Sequence, residues 1–461
     1  MLQIVQAYDR SPIGEVATDG ADALEAKLDL AARAFRDRDC WLKPHERIEV
    51  LYRLASLMDG RRELFSRLIA QEGGKPLVDA IVETNRAIDG VRNAAEELRH
   101  FAGREIPMGL TAASTGRWAF TTKEPIGVVV AISAFNHPLN LIVHQAAPAI
   151  ATGCPVIVKP AAATPLCCKE FVRLVHEAGL GEPWCQTFLT SDNGLAERLA
   201  TDPRVGFVSF IGSARVGWHL HGKLAPGTRC ALEHGGVAPA IVDRSADLDQ
   251  VIEPMVKGGY YHAGQVCVST QRIFVHAKIQ AEFVDRFAAR VGALRVGDPL
   301  SIETEVGPLI HPREADRVAS WIEEATAGGG RIVVGGERLS ATTLRPTVLL
   351  QPSASSKVSR EEVFGPLTCI YGFTKLDEAI EVANGLPVAF QASIFTQAIG
   401  PALRAAERLD ASAVMVNDHT AFRTDWMPFA GRRQSGYGIG GIPWSMREMT
   451  QEKMVVIRRN L

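Results

Sequence analysis

Gly127-Val128-Val129-Val130-Ala131-Ile132, followed by a helical pattern and then by Pro155-Val156-Ile157-Val158-Lys159, is the stretch that decides the fold. Each run is short, apolar and rich in β-branched residues, and the segment between them is too long for a hairpin turn. The pair reads as two parallel strands joined by a crossover helix, since parallel neighbours need a connection of roughly a dozen residues or more. The same texture returns at 186–189 and 205–211, which predicts a doubly wound parallel sheet with right-handed crossovers.

Upstream, apolar positions recur at helical spacing over 23–35, over 46–69 as one run ending near Gly73 and Gly74, and over 78–101, which stops before Gly103 and Pro107. Downstream, after Gly235 and Gly236, a second alternation begins: strand-like 240–242, a helix over 248–262, strand-like 272–276 and a helix over 277–291. Strands at 329–335, 347–350, 367–373 and 392–395 continue it, so a second α/β unit is expected. The Ser-, Thr- and Gly-rich stretch 112–122 and the β-type run 454–458 are expected to pair in a small separate sheet that joins subunits.

Composition excludes several classes. With 46% hydrophobic and 22% charged residues among 461, the chain is an ordinary globular protein of several domains. Fifty Lys and Arg against 52 Asp and Glu leave a net charge of -2, without the positive excess that phosphate backbones demand, so nucleic acid is not the expected partner. The most apolar region, 127–158, is broken by Asn136, His137, Asn140, His144 and three prolines, and no membrane span is expected. Asp9 and Arg10 fall where a secretory signal would be apolar, and the eight sparse cysteines, with Cys167 and Cys168 adjacent, suit reduced thiols; a cytoplasmic setting is expected.

Four places offer chemistry. Cys267, in His262-Ala263-Gly264-Gln265-Val266-Cys267-Val268, has no Cys-x-x-Cys partner and is either an inert buried thiol or a covalent nucleophile. The inert reading applies to Cys40, Cys154, Cys167, Cys168, Cys185, Cys230 and Cys369. Glu233, before Gly235-Gly236, is either a surface acid or a general base lowered into a cleft. Asn136 follows a strand and precedes a helix, where it is either an N-cap or a donor to an oxyanion. Phe210-Ile211-Gly212-Ser213-Ala214-Arg215-Val216-Gly217 is a strand entering a glycine turn and a helix, whose N–H groups suit a pyrophosphate, although it is neither G-x-G-x-x-G nor a Walker A motif.

Taken together with further blocks, the chain resembles the aldehyde dehydrogenase superfamily over essentially its full length. The resemblance rests on Glu124-Pro125-Ile126-Gly127-Val128, Asn136-His137-Pro138, Val158-Lys159-Pro160, Phe210-Ile211-Gly212-Ser213, Glu233-His234-Gly235-Gly236, Gly264-Gln265-Val266-Cys267, Glu361-Glu362-Val363-Phe364-Gly365-Pro366, and Met427-Pro428-Phe429-Ala430-Gly431 with Ser435-Gly436. Glu233 and Cys267 stand 34 positions apart, the family's usual spacing.

The resemblance implies that Cys267 attacks an aldehyde while the Asn136 amide and the Cys267 N–H hold the oxyanion, that hydride passes to NAD or NADP, and that Glu233 activates water to hydrolyse the thioester. It implies that Lys159 binds the adenosine ribose, that Gly212 and Ser213 lie by the pyrophosphate, and that Glu362 and Phe364 position the nicotinamide ribose and ring; no metal is called for. The implied fold has a cofactor-binding α/β domain (1–105 and 120–234), a catalytic α/β domain (235–430) and a bridging, oligomerising β-segment (106–119 and 431–461), assembled as a homodimer or homotetramer.

Departures from the family pattern sharpen the reading. NAD-preferring relatives often carry an acid three residues after the lysine; here it is Ala162, which favours NADP, with NAD as the alternative. His137 and Arg423 stand where relatives acting on short anionic aldehydes place basic residues, so the expected substrate is a semialdehyde or a phosphorylated or phosphonate aldehyde. Arg423 alternatively pairs with Asp425, and Val266 stands where some phosphate-type relatives have arginine. Trp426 is a further candidate substrate residue, and with Phe135 and Phe422 would instead line a pocket for neutral or aromatic aldehydes. Arg86 and Arg92 are either further anion anchors or, as preferred, solvated helix charges, and His234 and Ala430 are departures without an account. A CoA-acylating semialdehyde dehydrogenase is the runner-up, opposed by Glu233, and a binding protein that lost its chemistry is opposed by intact Cys267, Glu233 and Asn136.

Overall fold

The computed structural model describes residues 1–459. Its first sheet has six strands in the order Gly436–Tyr437, Arg229–Glu233, Val205–Ile211, Val128–Ile132, Val156–Lys159, Cys185–Thr187. The last five run parallel, and Gly436–Tyr437 joins antiparallel at the edge. All five residues of Val128–Ile132 are buried, as a strand covered on both faces requires. One face packs on the helices Pro44–Asp59, Leu77–Glu97, Asn140–Thr152 and Leu166–Glu177, the other on Ala21–Arg36, Asn193–Thr201 and Ala214–His221.

Strand order reverses beside Val128–Ile132. From there the chain first adds Val156–Lys159 and Cys185–Thr187 on one side, then Val205–Ile211 and Arg229–Glu233 on the other. A sheet wound this way opens a crevice beyond the carboxyl ends of its two central strands, here at Ile132 and Ile211.

The second sheet has seven strands, in the order Arg331–Val334, Thr347–Leu350, Leu367–Phe373, Thr270–His276, Ala238–Val242, Gln391–Phe395, Ala413–Val416, all parallel except Arg331–Val334 at the edge. The helices Leu248–Tyr260, Gln280–Gly292 and Pro312–Ala327 cover one face, and Leu376–Asn384 and Ile399–Arg408 the other. A third, antiparallel sheet joins Glu105–Ile106, Arg117–Pro125 and Thr450–Arg458, the last two in register from Thr450 opposite Pro125 to Arg458 opposite Arg117.

Several boundaries differ from the sequence reading. The helical run 46–69 is two helices, Pro44–Asp59 and Arg62–Gly73, because Arg61 leaves the helical region between them. The helix expected over 248–262 ends at Tyr260, where His262 and Ala263 turn left-handed (φ 49° and 54°). The Ser- and Gly-rich stretch 112–122 is a short 3₁₀ turn, Ala112–Ser114, before the strand begins at Arg117. Of the segment 431–461 drawn as bridging, Thr450–Arg458 lies in the third sheet, whereas Gly436–Tyr437 extends the first. Ile442, Met446 and Met449 are buried in the core of that first sheet, which ties the helix Ile442–Glu448 to it.

Candidate active site

A cavity of about 370 Å³ occupies the crevice at Ile132 and Ile211. Its wall includes Asn136, Glu233, Cys267, Glu362, Phe364 and Arg423, which arrive on different loops from both sheets. Glu233 is the last residue of a parallel strand, so its carboxylate leaves the sheet where the cavity begins.

Cys267 follows three consecutive left-handed residues, His262, Ala263 and Gly264, a conformation that costs on the order of 1 kcal/mol or more per non-glycine residue and persists only when held by its surroundings. Gln265 holds it. The Gln265 side chain donates to the carbonyls of His262 (3.2 Å) and Pro308 (3.1 Å) and accepts from the Ile310 N–H (3.0 Å). The Gln265 carbonyl in turn accepts from the Asn136 amide nitrogen at 3.0 Å, leaving the second amide hydrogen of Asn136 for another acceptor.

The Cys267 sulfur lies 4.0 Å from Glu233 Oε1. Burial, and then the Glu233 charge, push the thiol well above the ordinary cysteine range, with Arg423 opposing them. Burial also raises Glu233 to about 7 against the pull of Arg423, and Glu362 to about 8. Glu362 Oε1 is buried without a hydrogen-bond partner, and a methyl group on Gly235 would lie 1.7 Å from it, so only glycine lets this carboxylate turn inward. Phe364 (φ 46°) meets Phe135 edge to face at 5.8 Å.

The basic side chains form an ordered wall. Arg86 pairs in two-pronged fashion with Asp425 (2.8 and 3.1 Å), which also receives the His144 Nε2 proton (2.6 Å) and the Asn140 amide (3.1 Å). Arg423 therefore has no claim on Asp425: its guanidinium stacks 3.5 Å from the Phe429 ring centroid and donates to His144 Nδ1 (3.2 Å), while its Nε has no partner. Burial and then Arg423 lower His144 to about 4, which keeps it neutral. His137 lines the same cavity, with Nδ1 2.7 Å from the buried Lys75 ammonium that is paired with Glu83. Burial, then Lys75, lower His137 to about 4.

Gly212 and Ser213 line the cavity where the helix Ala214–His221 begins. Lys159 ends its strand just outside the lining, with Nζ donating to the Pro160 carbonyl (3.2 Å), and Ala161 reaches the wall in its place. Trp426 (54% exposed) and Phe422 (42% exposed) point to solvent and are not part of the wall. Arg86 was read as a solvated charge and is instead a cavity residue; its partner lies 339 positions away, a pairing that no local pattern signals. Tyr261, which lines the cavity, and the buried Lys75 behind it belong to no motif, and the part played by Gln265 is not signalled by the block that contains it.

The chain matches the model of the aldehyde dehydrogenase family over residues 1–455 and belongs to that family. It is an oxidoreductase acting on aldehydes. It is 35% identical over 456 residues to the 3-sulfolactaldehyde dehydrogenase of Priestia aryabhattai, covering 99% of this chain and 94% of the relative. Among solved structures it is similar to aldehyde dehydrogenase 21 from Physcomitrella patens in complex with the reaction product succinate (TM-score 0.96, 32% identity, covering 100% of this chain and 95% of that one). It is also similar to the glyceraldehyde-3-phosphate dehydrogenase of Methanocaldococcus jannaschii complexed with NADP (TM-score 0.94, 31% identity, covering 99% of each chain).

Proposed function

We propose that the protein oxidises a short anionic aldehyde to its carboxylic acid with NAD or NADP, through a thioester on Cys267. The observation that carries this reading is the 4.0 Å approach of the Cys267 thiol to Glu233 in a cavity that also holds the Asn136 amide. The sulfur bonds to the carbonyl carbon as the thiol proton passes to Glu233, and the free hydrogen of the Asn136 amide with the Cys267 N–H bears the oxyanion. When bound, the dinucleotide supplies an acceptor for the hydride of the former aldehyde carbon. Glu233 gives that proton to solvent and then takes one from water; hydroxide adds to the thioester carbon, the carbon–sulfur bond breaks, the Cys267 sulfur recovers the proton from Glu233, and the acid leaves.

Features of the cavity fit a dinucleotide: the unpaired Glu362 Oε1, suited to a ribose hydroxyl, and the glycine turn at Gly212-Ser213 opening a helix. Lys159 and Phe364 would hold the adenosine ribose and the nicotinamide ring, and Ala162 leaves a 2′-phosphate unopposed, favouring NADP. The anionic end of the substrate is assigned to the Arg423 guanidinium, with the Asp425-paired Arg86 and the neutral His137 beside it in the cavity wall. Trp426, being exposed, is given no part.

The third sheet supports a homodimer or homotetramer: Thr450–Arg458 is its outer strand and exposes Met454, Val456 and Ile457. All eight cysteines are free thiols, in keeping with a cytoplasmic setting, and among the described residues no helix is long and apolar enough to cross a membrane. The test is reduced-cofactor formation across size-matched anionic and neutral aldehydes with NAD and with NADP, without CoA. Turnover selective for anionic aldehydes is expected; turnover only after CoA is added would replace the hydrolytic reading with the acylating one.

A further inference from the structure

His234 follows the catalytic acid and is 1% exposed, yet it lines the cavity. Its Nδ1 lies 2.9 Å from the Gly212 carbonyl, and a carbonyl only accepts, so Nδ1 carries the proton. The opposite nitrogen, Nε2, is buried without a partner against the helix Ala214–His221, where a Cβ on Gly217 would stand 1.9 Å from the ring. Glycine at 217 thus makes the space that the imidazole fills. Phe210 and Trp218 complete the slot, each edge to face with the ring at 5.8 Å. The backbone of Gly212 is held at both ends, since its N–H donates to the Glu233 carbonyl at 3.0 Å.

The peptide that joins Gly212 to Ser213 is trans, and in a trans peptide the carbonyl and the following N–H point in opposite directions. Fixing the Gly212 carbonyl inward on His234 therefore aims the Ser213 N–H outward. Among the described residues that N–H has no acceptor, and the Ser213 side chain does not cap the helix it precedes. We propose that His234 is a positioning residue for the dinucleotide, holding the Gly212–Ser213 peptide so that the Ser213 N–H donates to the pyrophosphate. This rests on the reading that the dinucleotide binds in this cavity.

The test is equilibrium binding of NADP, ADP-ribose and 2′-AMP to the full-length protein and its variants, with stability followed in parallel. His234→Leu removes the hold on the carbonyl and is expected to weaken NADP and ADP-ribose about five- to tenfold, the worth of one oriented hydrogen bond, while 2′-AMP, which lacks a pyrophosphate, is unaffected. His234→Asn keeps an N–H donor near Nδ1 and restores most of the affinity. KM for the cofactor follows the binding loss more closely than turnover at saturation does. Should His234→Leu not fold, Gly217→Ala displaces the ring and is read the same way. Unchanged NADP binding in the variant, or an equal loss for 2′-AMP, overturns the assignment of His234 alone; a parent protein that binds neither NAD nor NADP overturns the functional reading with it.

Discussion

Cys267 and Glu233, 34 residues apart, come within 4.0 Å of each other at the mouths of two different sheets. Burial makes both groups harder to ionise, and the Glu233 charge makes Cys267 harder still, since two negative charges would repel. At neutral pH the thiol accordingly holds its proton, and the Glu233 carboxyl, raised to about 7, can change its protonation state in this range.

Replacing Cys267 with Ala removes the sulfur proposed to bond the aldehyde carbon. Turnover is expected to fall at least ~10³-fold. Dinucleotide affinity, measured by fluorescence quenching, should stay within about twofold, because no cofactor contact is assigned to the sulfur. Substantial turnover in this variant would exclude it as nucleophile.

Glu233 works as a base only when ionised, so activity should decline as pH drops through about 7. Glu233→Gln should lose that limb and some ~10²–10⁴ of the rate. Stability moves the other way. With a folded pKa of about 7 against an ordinary 4.5, the native state binds more protons than the unfolded chain across this window. Native stability thus falls as pH climbs through it, and the Gln variant escapes the loss. Its advantage is about 1–2 kcal/mol at roughly pH 8, discounted for the carboxylate's access to the cavity, and absent below pH 4.5. Denaturant titrations of both proteins at two pH values decide this.

Arg423→Met should cut kcat/KM for an anionic aldehyde about 100-fold and change it little for a neutral one of the same length. Because Arg423 pulls the Glu233 pKa down, the acid limb for the neutral substrate should also move to higher pH. Equal losses on both substrates would remove this arginine from substrate recognition.

Ala162→Glu places a carboxylate beside the expected ribose. The NADP-to-NAD preference, as a ratio of kcat/KM values, should shift towards NAD by about tenfold or more. An unaltered ratio would mean that another group reads the 2′-phosphate.

Strands were the most legible part of the chain. Val205–Ile211, Thr347–Leu350 and Leu367–Phe373 are predominantly apolar and mostly buried, as strands covered on both faces are, and their ends coincide with those expected. The candidate trio Cys267, Glu233 and Asn136 was nominated through motifs, which name residues without showing the distance between them. The left-handed turn at His262 and Ala263 was not legible, since neither residue type announces a positive φ and the tie comes from Gln265. The exposure of Trp426 is not legible for a related reason: an aromatic ring on a loop faces inward or outward according to contacts its neighbours in sequence do not encode, and this one faces out.

Gln265 links the loop of the nucleophile, the segment at Pro308 and Ile310, and the amide of Asn136 into one rigid knot. The Asn136 amide and the Cys267 loop consequently cannot drift apart without breaking several buried bonds together. On the proposed mechanism the reactive geometry exists before an aldehyde arrives, and the entropy of assembling it is spent during folding. Aldehydes of the wrong shape are turned away by a fixed template, and selectivity should show itself in encounter and affinity rather than in a slow closing motion.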